Sequence, residues 1–325
     1  MHPSVLASID AIVAKRFPTL LSLLIERCGV LVCERSFQQG SSTTPGNVKS
    51  VTKSIISALV GIALGEGDLL SLDQRVEEFF PQHFSASGDQ RKRQIRLRHL
   101  LTMRSGLRWV EQSAESLPAL FASPDWVQHA LRLPLLHAPG EVFAYSTLDA
   151  HLLSAILTRA TGMNTLAFAN RFLFGPLGMS VTTWTSDPQG VPIGGSELHL
   201  SPREMARVGS LYLRRGNWQG RQLIPAEYGE ASTRTQVRPA DGAFASATYG
   251  YLWWVTTVGP DACFYALGYG GQLICVIPAL EVVFVTTARL DVPPEQGAGP
   301  RAFALARELA ERVVLPALAQ EPEPG

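Results

Sequence analysis

The chain has 325 residues, of which 46% are hydrophobic, enough to bury a sizeable core in one large or two closely packed domains. Lysine plus arginine and aspartate plus glutamate balance at 28 each, so no global charge draws the chain to nucleic acid or to an anionic membrane surface, and the expected partner is a small molecule. No apolar run approaches the roughly 20 residues that span a bilayer. The N-terminus, MHPSVLASIDAIVAKRF, lacks the basic start, apolar stretch and cleavage site of an export signal; a cytoplasmic location is expected.

In chain order, the periodicity predicts an amphipathic helix over Val5–Phe17 and a strand in GVLVCERS, Gly29–Ser36. A helix follows within NVKSVTKSIISALVGIALGEG, Asn47–Gly67. From about Leu69 to Leu200 the pattern is mainly helical, with LRHLLTMRSGL, SPDWVQHALRL and LDAHLLSAILTRATG joined at Pro- and Gly-marked turns. Ser201, Pro202 and Glu204 open the next helix with a capping box. Three apolar runs, YGYLWWVTTV, CFYALGYGGQLICVIP and EVVFVTTARL, have connections too short for parallel crossovers and predict an antiparallel meander. The amphipathic RAFALARELAERVVLPAL predicts a closing helix, and the acidic, Pro-rich EPEPG tail a disordered end.

These elements give a mixed α/β (α+β) chain: an antiparallel sheet flanked by N- and C-terminal helices from residues 1–68 and 201–325, with a mainly helical lobe, residues 69–200, inserted between them. An active site is expected in the cleft between the two. The basic cluster RKRQIRLRH, Arg91–His99, reads as a solvated strand edge or loop, not a nucleic-acid surface. Cys28, Cys33, Cys263 and Cys275 have neither zinc-site nor redox CxxC spacing and are expected to be buried free thiols. No metal and no cofactor is expected.

Chemistry points to Ser50 and Lys53. Three residues apart on a helix, they share a face. Val51, Ile55, Ala58, Leu59, Ile62 and Ala63 form one apolar face, and Ile56, Val60 and Leu64 a second, so the helix is expected to be buried with Ser50, Lys53, Ser54, Ser57 and Gly61 as a narrow polar stripe. Burial and the positive end of the helix dipole both favour an uncharged amine at Lys53. Such an amine can take the proton of a serine hydroxyl, which is otherwise a poor nucleophile. The N–H of Ser50, at a helix start, is placed to meet a developing oxyanion. Tyr145 follows a Pro-Gly turn and precedes a helix, where loops deliver side chains to clefts. Gly268, Gly270 and Gly271 interrupt an apolar strand pattern, which suggests a bulge or a close ligand approach, with Gly271 N–H as a second oxyanion donor.

These three segments resemble, in order and spacing, the serine β-lactamase-like superfamily: class C β-lactamases, DD-peptidases, β-lactamase-like carboxylesterases and 6-aminohexanoate-dimer hydrolases. Ser50-Val-Thr-Lys53 is similar to the family's first motif, Tyr145-Ser-Thr147 to its Tyr-x-Asn element, and Gly268-Tyr269-Gly270 to its Lys/His-x-Gly triad. The resemblance implies a β-lactamase/transpeptidase-like fold, an acylated Ser50, proton transfer through Lys53 and Tyr145, and an oxyanion hole from the backbone of Ser50 and Gly271. Thr147 stands where the family has Asn, and Gly268 where it has a cation. This departure favours small esters or short uncharged amides over β-lactams and D-Ala-D-Ala peptides. Trp109, Glu111, Trp184 and Trp253 are expected pocket-wall residues. A β-lactamase or DD-peptidase is the alternative enzyme, and a catalytically silent binding protein the alternative of another class.

Overall fold

A computed structural model of the chain describes residues 1–84, 88–111, 113–240, 247–292 and 307–320. Its centre is a seven-stranded antiparallel sheet built from β1 (Leu20–Arg27), β2 (Val30–Ser36), β3 (Thr248–Tyr249), β4 (Trp254–Val258), β5 (Asp261–Gly268), β6 (Gln272–Ile277) and β7 (Val282–Ala288). The strand order is β2-β1-β7-β6-β5-β4-β3. Leu24 lies opposite Val285 in the β1–β7 pairing, so the first strand of the chain closes onto the last. Every residue of β6 is buried, whereas the edge strand β2 is largely open. A strand covered on both faces reads as a continuous apolar run instead of an alternation.

The sheet departs from the sequence reading in three places. Strand β1 was not expected; it joins β2 through a tight turn in which Cys28 and Gly29 both take positive φ, the geometry of a two-residue hairpin loop. The run CFYALGYGGQLICVIP is two strands, β5 and β6, and its glycines form the turn between them, not a bulge in one strand. YGYLWWVTTV likewise divides into β3 and β4 around Leu252, which has φ 60°.

Helix α1 (Pro3–Arg16) buries Val5, Ile9 and Val13. An Arg16–Glu308 ion pair at 3.6 Å joins it to the helical stretch 307–318, in which Ala310–Val314 is π-helical. Residues 301–306 and the EPEPG tail, 321–325, lie outside the described residues. Helix α2 (Val51–Glu66) buries all residues from Val51 to Ala63 and stops at Gly67 in the left-handed conformation that ends helices. It packs on β5 and β6 and, on its other side, on α3 (Thr147–Thr161). Helix α4 (Pro202–Leu213) has the expected capping box: Ser201 N–H donates to Glu204 Oε2 at 2.8 Å and Glu204 N–H to Ser201 Oγ at 3.3 Å. It covers β1, β6 and β7.

The basic cluster is helical, not a strand edge: Gln90–Gln94 is a 3-10 turn and Leu97–Leu101 a short helix. Most of its charges are spent locally, Arg91 on Asp89, Arg93 on Glu77, and Arg96 and Arg98 on Asp73, while Lys92 is buried with Nζ 2.8 Å from the Leu131 carbonyl. Cys33, Cys263 and Cys275 are buried free thiols, but Cys28 is exposed because it sits in the β1–β2 turn. No helix among the described residues is long and apolar enough to cross a membrane.

Candidate active site

Three segments converge on the N-terminus of α2. The first is the turn that carries Ser50. Val48 N–H donates to the Leu198 carbonyl at 2.9 Å, and Gly46 and Asn47 pair with Leu200 and His199, which pins the turn to the segment before α4. Lys49 N–H donates to Asn47 Oδ1 at 2.8 Å. Lys49 takes φ 51°, a left-handed conformation rare outside glycine, and this reverses the chain so that Ser50 caps α2 half-buried at the helix mouth.

Lys53, one turn on, is 1% exposed. Its Nζ lies 2.9 Å from Ser50 Oγ, 3.1 Å from Thr147 Oγ1 and 2.9 Å from the Gly195 carbonyl oxygen. The Gly195 carbonyl is an obligate acceptor. Thr147 is made one by its own partner, because its hydroxyl donates to Glu111 Oε1. Those two contacts use two N–H bonds, and the third direction from the nitrogen faces the Ser50 hydroxyl. The direction facing Ser50 Oγ carries an N–H when Lys53 is an ammonium and the lone pair when it is an amine. The Tyr145 ring centroid is 4.8 Å from Lys53 Nζ, and the ring stacks on Trp254 at 5.8 Å.

The second segment, the start of α3, is held by buried polar groups. Ser146 caps the helix by accepting from Asp149 N–H at 3.0 Å, and the Asp149 carboxylate takes the Ser105 hydroxyl at 2.8 Å. This couples Tyr145-Ser-Thr147 to the loop after Leu97–Leu101. Complete burial pushes the Asp149 carboxyl up to about 7, against the opposing pull of the Ser105 and Ser146 hydrogen bonds. The loop carrying Gly195 is tied to α3 by Ser154 Oγ, which donates to the Pro192 carbonyl at 2.7 Å, and by the buried His151–Asp187 pair at 3.1 Å. Burial works against ionisation of Asp187, yet hydrogen bonds from His151 and from the Val191 and Gln189 backbone outweigh it and hold the carboxyl low.

Gly195 is small of necessity. A Cβ there would lie 2.4 Å from Thr147 Cγ2, so any side chain would push its carbonyl away from Lys53. Neither the Gly194-Gly195 pair nor the role of its carbonyl was read from the sequence, although a double glycine just before a capping box is the kind of signal that marks close backbone approach.

The third segment is the β5–β6 turn. A Cβ on Gly268 would lie 2.3 Å from the Val48 carbonyl oxygen and 3.1 Å from Lys49 Cβ, so the end of β5 closes directly onto the residues before Ser50. A lysine or histidine at 268 does not fit that contact, which accounts for the missing cation. Tyr269 anchors the turn by donating its hydroxyl to the Val292 carbonyl at 2.7 Å, and Gly270 and Gly271 turn the chain with φ 83° and 110°. Lys49, whose Cβ abuts Gly268, has its Nζ 3.1 Å from Glu197 Oε1. Asn47 Nδ2 donates to the other carboxylate oxygen at 2.7 Å.

The expected wall residues fall differently. Trp253 is fully buried and packs on Tyr212 with centroids 4.6 Å apart, so it is core and not wall. Trp184 is buried too, and its Nε1 donates to the Ile193 carbonyl at 2.9 Å, bracing the Gly195 loop. Trp109 Nε1 donates to Glu111 Oε2 at 2.7 Å, and Glu111 in turn holds Thr147. No group of three or more metal-ligating side chains occurs among the described residues.

This fold, with a serine and lysine joined at the mouth of a buried helix, defines a class that the comparisons name. Residues 21–308 match the beta-lactamase family, and the chain belongs to that family as one of its hydrolases. Over 142 residues it is 32% identical to esterase EstB of Burkholderia gladioli, a stretch covering 40% of this chain and 36% of that one. Two solved structures share its fold: a Bacteroides dorei protein provisionally described as a beta-lactamase, with a TM-score of 0.80 and 19% identity over 98% of each chain, and EstCE1, a hydrolase with promiscuous acyltransferase activity, with a TM-score of 0.75 and 17% identity over 95% of this chain and 98% of that one.

Proposed function

We propose that the protein is a serine hydrolase that cleaves small carboxylic esters or short uncharged amides through an acyl-enzyme on Ser50. The observation that carries this reading is the 2.9 Å contact between Lys53 Nζ and Ser50 Oγ, with the other two Lys53 contacts directed at acceptors. Lys53 takes the hydroxyl proton as Ser50 Oγ bonds to the substrate carbonyl carbon. The backbone N–H groups of Ser50 and Gly271 hold the oxyanion. Tyr145, whose ring lies against the Lys53 amine, passes the proton to the departing alkoxide or amine, and water then releases the acid by the reverse sequence. The site lies in the cleft between the sheet and the helical residues 69–200.

Two features support a preference for uncharged substrates. Gly268 supplies no cation, and Lys49 beside it is neutralised by Glu197. The similarity to EstB agrees with an esterase. A fluorophosphonate probe tests the nucleophile: peptide mass spectrometry should find the adduct on Ser50, and the Ser50→Ala protein should not label. Labelling of another serine, or undiminished labelling of Ser50→Ala, refutes the assignment. Tyr145→Phe should lower turnover of p-nitrophenyl butyrate. Faster turnover of a chromogenic cephalosporin or a D-Ala-D-Ala peptide than of that ester would favour the β-lactamase or peptidase alternative.

A further inference from the structure

The Glu111 carboxylate receives three donors. Trp109 Nε1 and Thr147 N–H both donate to Oε2 at 2.7 Å, and the Thr147 hydroxyl donates to Oε1. All three contacts need acceptor oxygens, and the carboxyl group of Glu111 supplies two. A carboxamide has one acceptor oxygen, so in either orientation its NH2 would face at least one donor. We propose that Glu111 is a positioning residue of the Ser50–Lys53 centre: by holding the Thr147 hydroxyl proton, it fixes a lone pair of Thr147 on the Lys53 amine. This inference rests on the serine-hydrolase reading.

A threonine hydroxyl has one proton and rotates freely about its C–O bond. With that proton on Glu111, Thr147 Oγ1 can only accept from Lys53 Nζ, 3.1 Å away. Without Glu111 the hydroxyl is free to turn its proton onto the amine lone pair, the orbital that has to receive the Ser50 proton. Thr147 would then compete with the nucleophile for the base. An asparagine at 147 avoids the problem, because its amide oxygen is an acceptor without help. Glu111 and Thr147 are therefore a matched pair: the carboxylate makes a residue of ambiguous polarity behave as a fixed acceptor. Trp109 fixes the carboxylate in turn, its indole N–H being spent on the oxygen that also holds the Thr147 backbone.

The test is a double-mutant cycle read by the second-order rate of fluorophosphonate labelling at Ser50, with thermal midpoints measured on the same four proteins. Glu111→Gln is expected to slow labelling 10-fold or more. In the Thr147→Asn background the same substitution is expected to cost several-fold less, since the asparagine oxygen keeps the Lys53 amine correctly oriented. A residue that merely supports the fold would cost as much in both backgrounds. Should Glu111→Gln prove too unstable to purify, Thr147→Ser, which retains the hydroxyl, and Thr147→Val, which lacks it, give the second arm. Thr147→Ser should label within about threefold of wild type and Thr147→Val at least 10-fold more slowly. Equal labelling by wild type and Glu111→Gln, an equal penalty in both backgrounds, or equal rates for the serine and valine variants overturns the inference while the nucleophile assignment stands. Failure of wild-type Ser50 to label overturns both.

Discussion

The carbonyl oxygen of Gly195 accepts a hydrogen bond from Lys53 Nζ at 2.9 Å across 142 residues of chain. It makes the loop before α4 a wall of the base, and the contact survives only while residue 195 has no side chain. Gly195→Ala is expected to slow Ser50 labelling 10-fold or more and to cost about 1–3 kcal/mol of stability, the usual range for overpacking. The clash is with Thr147 Cγ2, so Thr147→Ser, which lacks that methyl, should restore much of both. Chemical denaturation and labelling of the two variants and their double check the expectation. If Thr147→Ser gives no relief, the loop is held by something other than this contact.

The second expectation concerns Lys53. Lys53→Met keeps the apolar stem and removes the nitrogen, leaving Thr147 and Gly195 without their shared donor. A general base of this kind typically supplies about 10²–10⁴-fold in rate, and a drop in that range is expected in turnover of p-nitrophenyl butyrate. Near-normal turnover by a folded Lys53→Met protein would remove the amine from the mechanism.

Much of this centre was legible because local rules act over a turn or two of helix. Ser50 and Lys53 meet through i,i+3 geometry, the α4 capping box is a four-residue signal, and the apolar faces of α2 imply burial on most sides. What was not legible depends on long-range approach. Glu111 read as a pocket-wall guess because its spacing gives no hint that Thr147, 36 residues on, will donate to it. Trp253 read as wall, yet it sits just before β4 and packs against Tyr212 and Phe264, neighbours distant in sequence. Strand β1 was missed because LLSLLIER, buried on most positions, has no two-residue alternation to mark it.

Asp149 provides a pH-dependent expectation. Burial raises its carboxyl from the ordinary 3.8 to about 7, so between those values the folded chain holds a proton that the unfolded chain releases. Stability from this group is therefore fully present below pH ~4 and lost as pH rises toward 7. Asp149→Asn, which stays neutral throughout, should remove that slope. The check is the melting temperature of both proteins from pH 4 to 8. Wild type should lose ground to the variant as pH rises, and parallel curves would mean that the folded carboxyl ionises at its ordinary pH.

The last expectation concerns substrate charge and rests on the Lys49–Glu197 pair beside the nucleophile. Both residues hold left-handed backbone, φ 51° and 67°, and their side chains are about one-third exposed, 30% and 32%. An ion pair that open to solvent contributes little to stability, so its removal need not unfold the protein. Its effect on selectivity is a separate matter. With Glu197 present, Lys49 Nζ is 3.1 Å from a carboxylate oxygen and presents no net charge to a ligand. Glu197→Gln keeps the backbone type and an acceptor for Asn47 while freeing the lysine charge. A charge-assisted hydrogen bond to a substrate carboxylate is typically worth about 1.5–3 kcal/mol, or roughly tenfold or more. The ratio of kcat/KM for a carboxylate-bearing cephalosporin to that for p-nitrophenyl butyrate should therefore rise about tenfold or more in Glu197→Gln. Glu197→Gln combined with Lys49→Met should return the ratio to its original value, because the freed charge is then gone. If the ratio is unmoved in the single variant, Lys49 does not reach the substrate, and selectivity against carboxylates has its source elsewhere in the cleft.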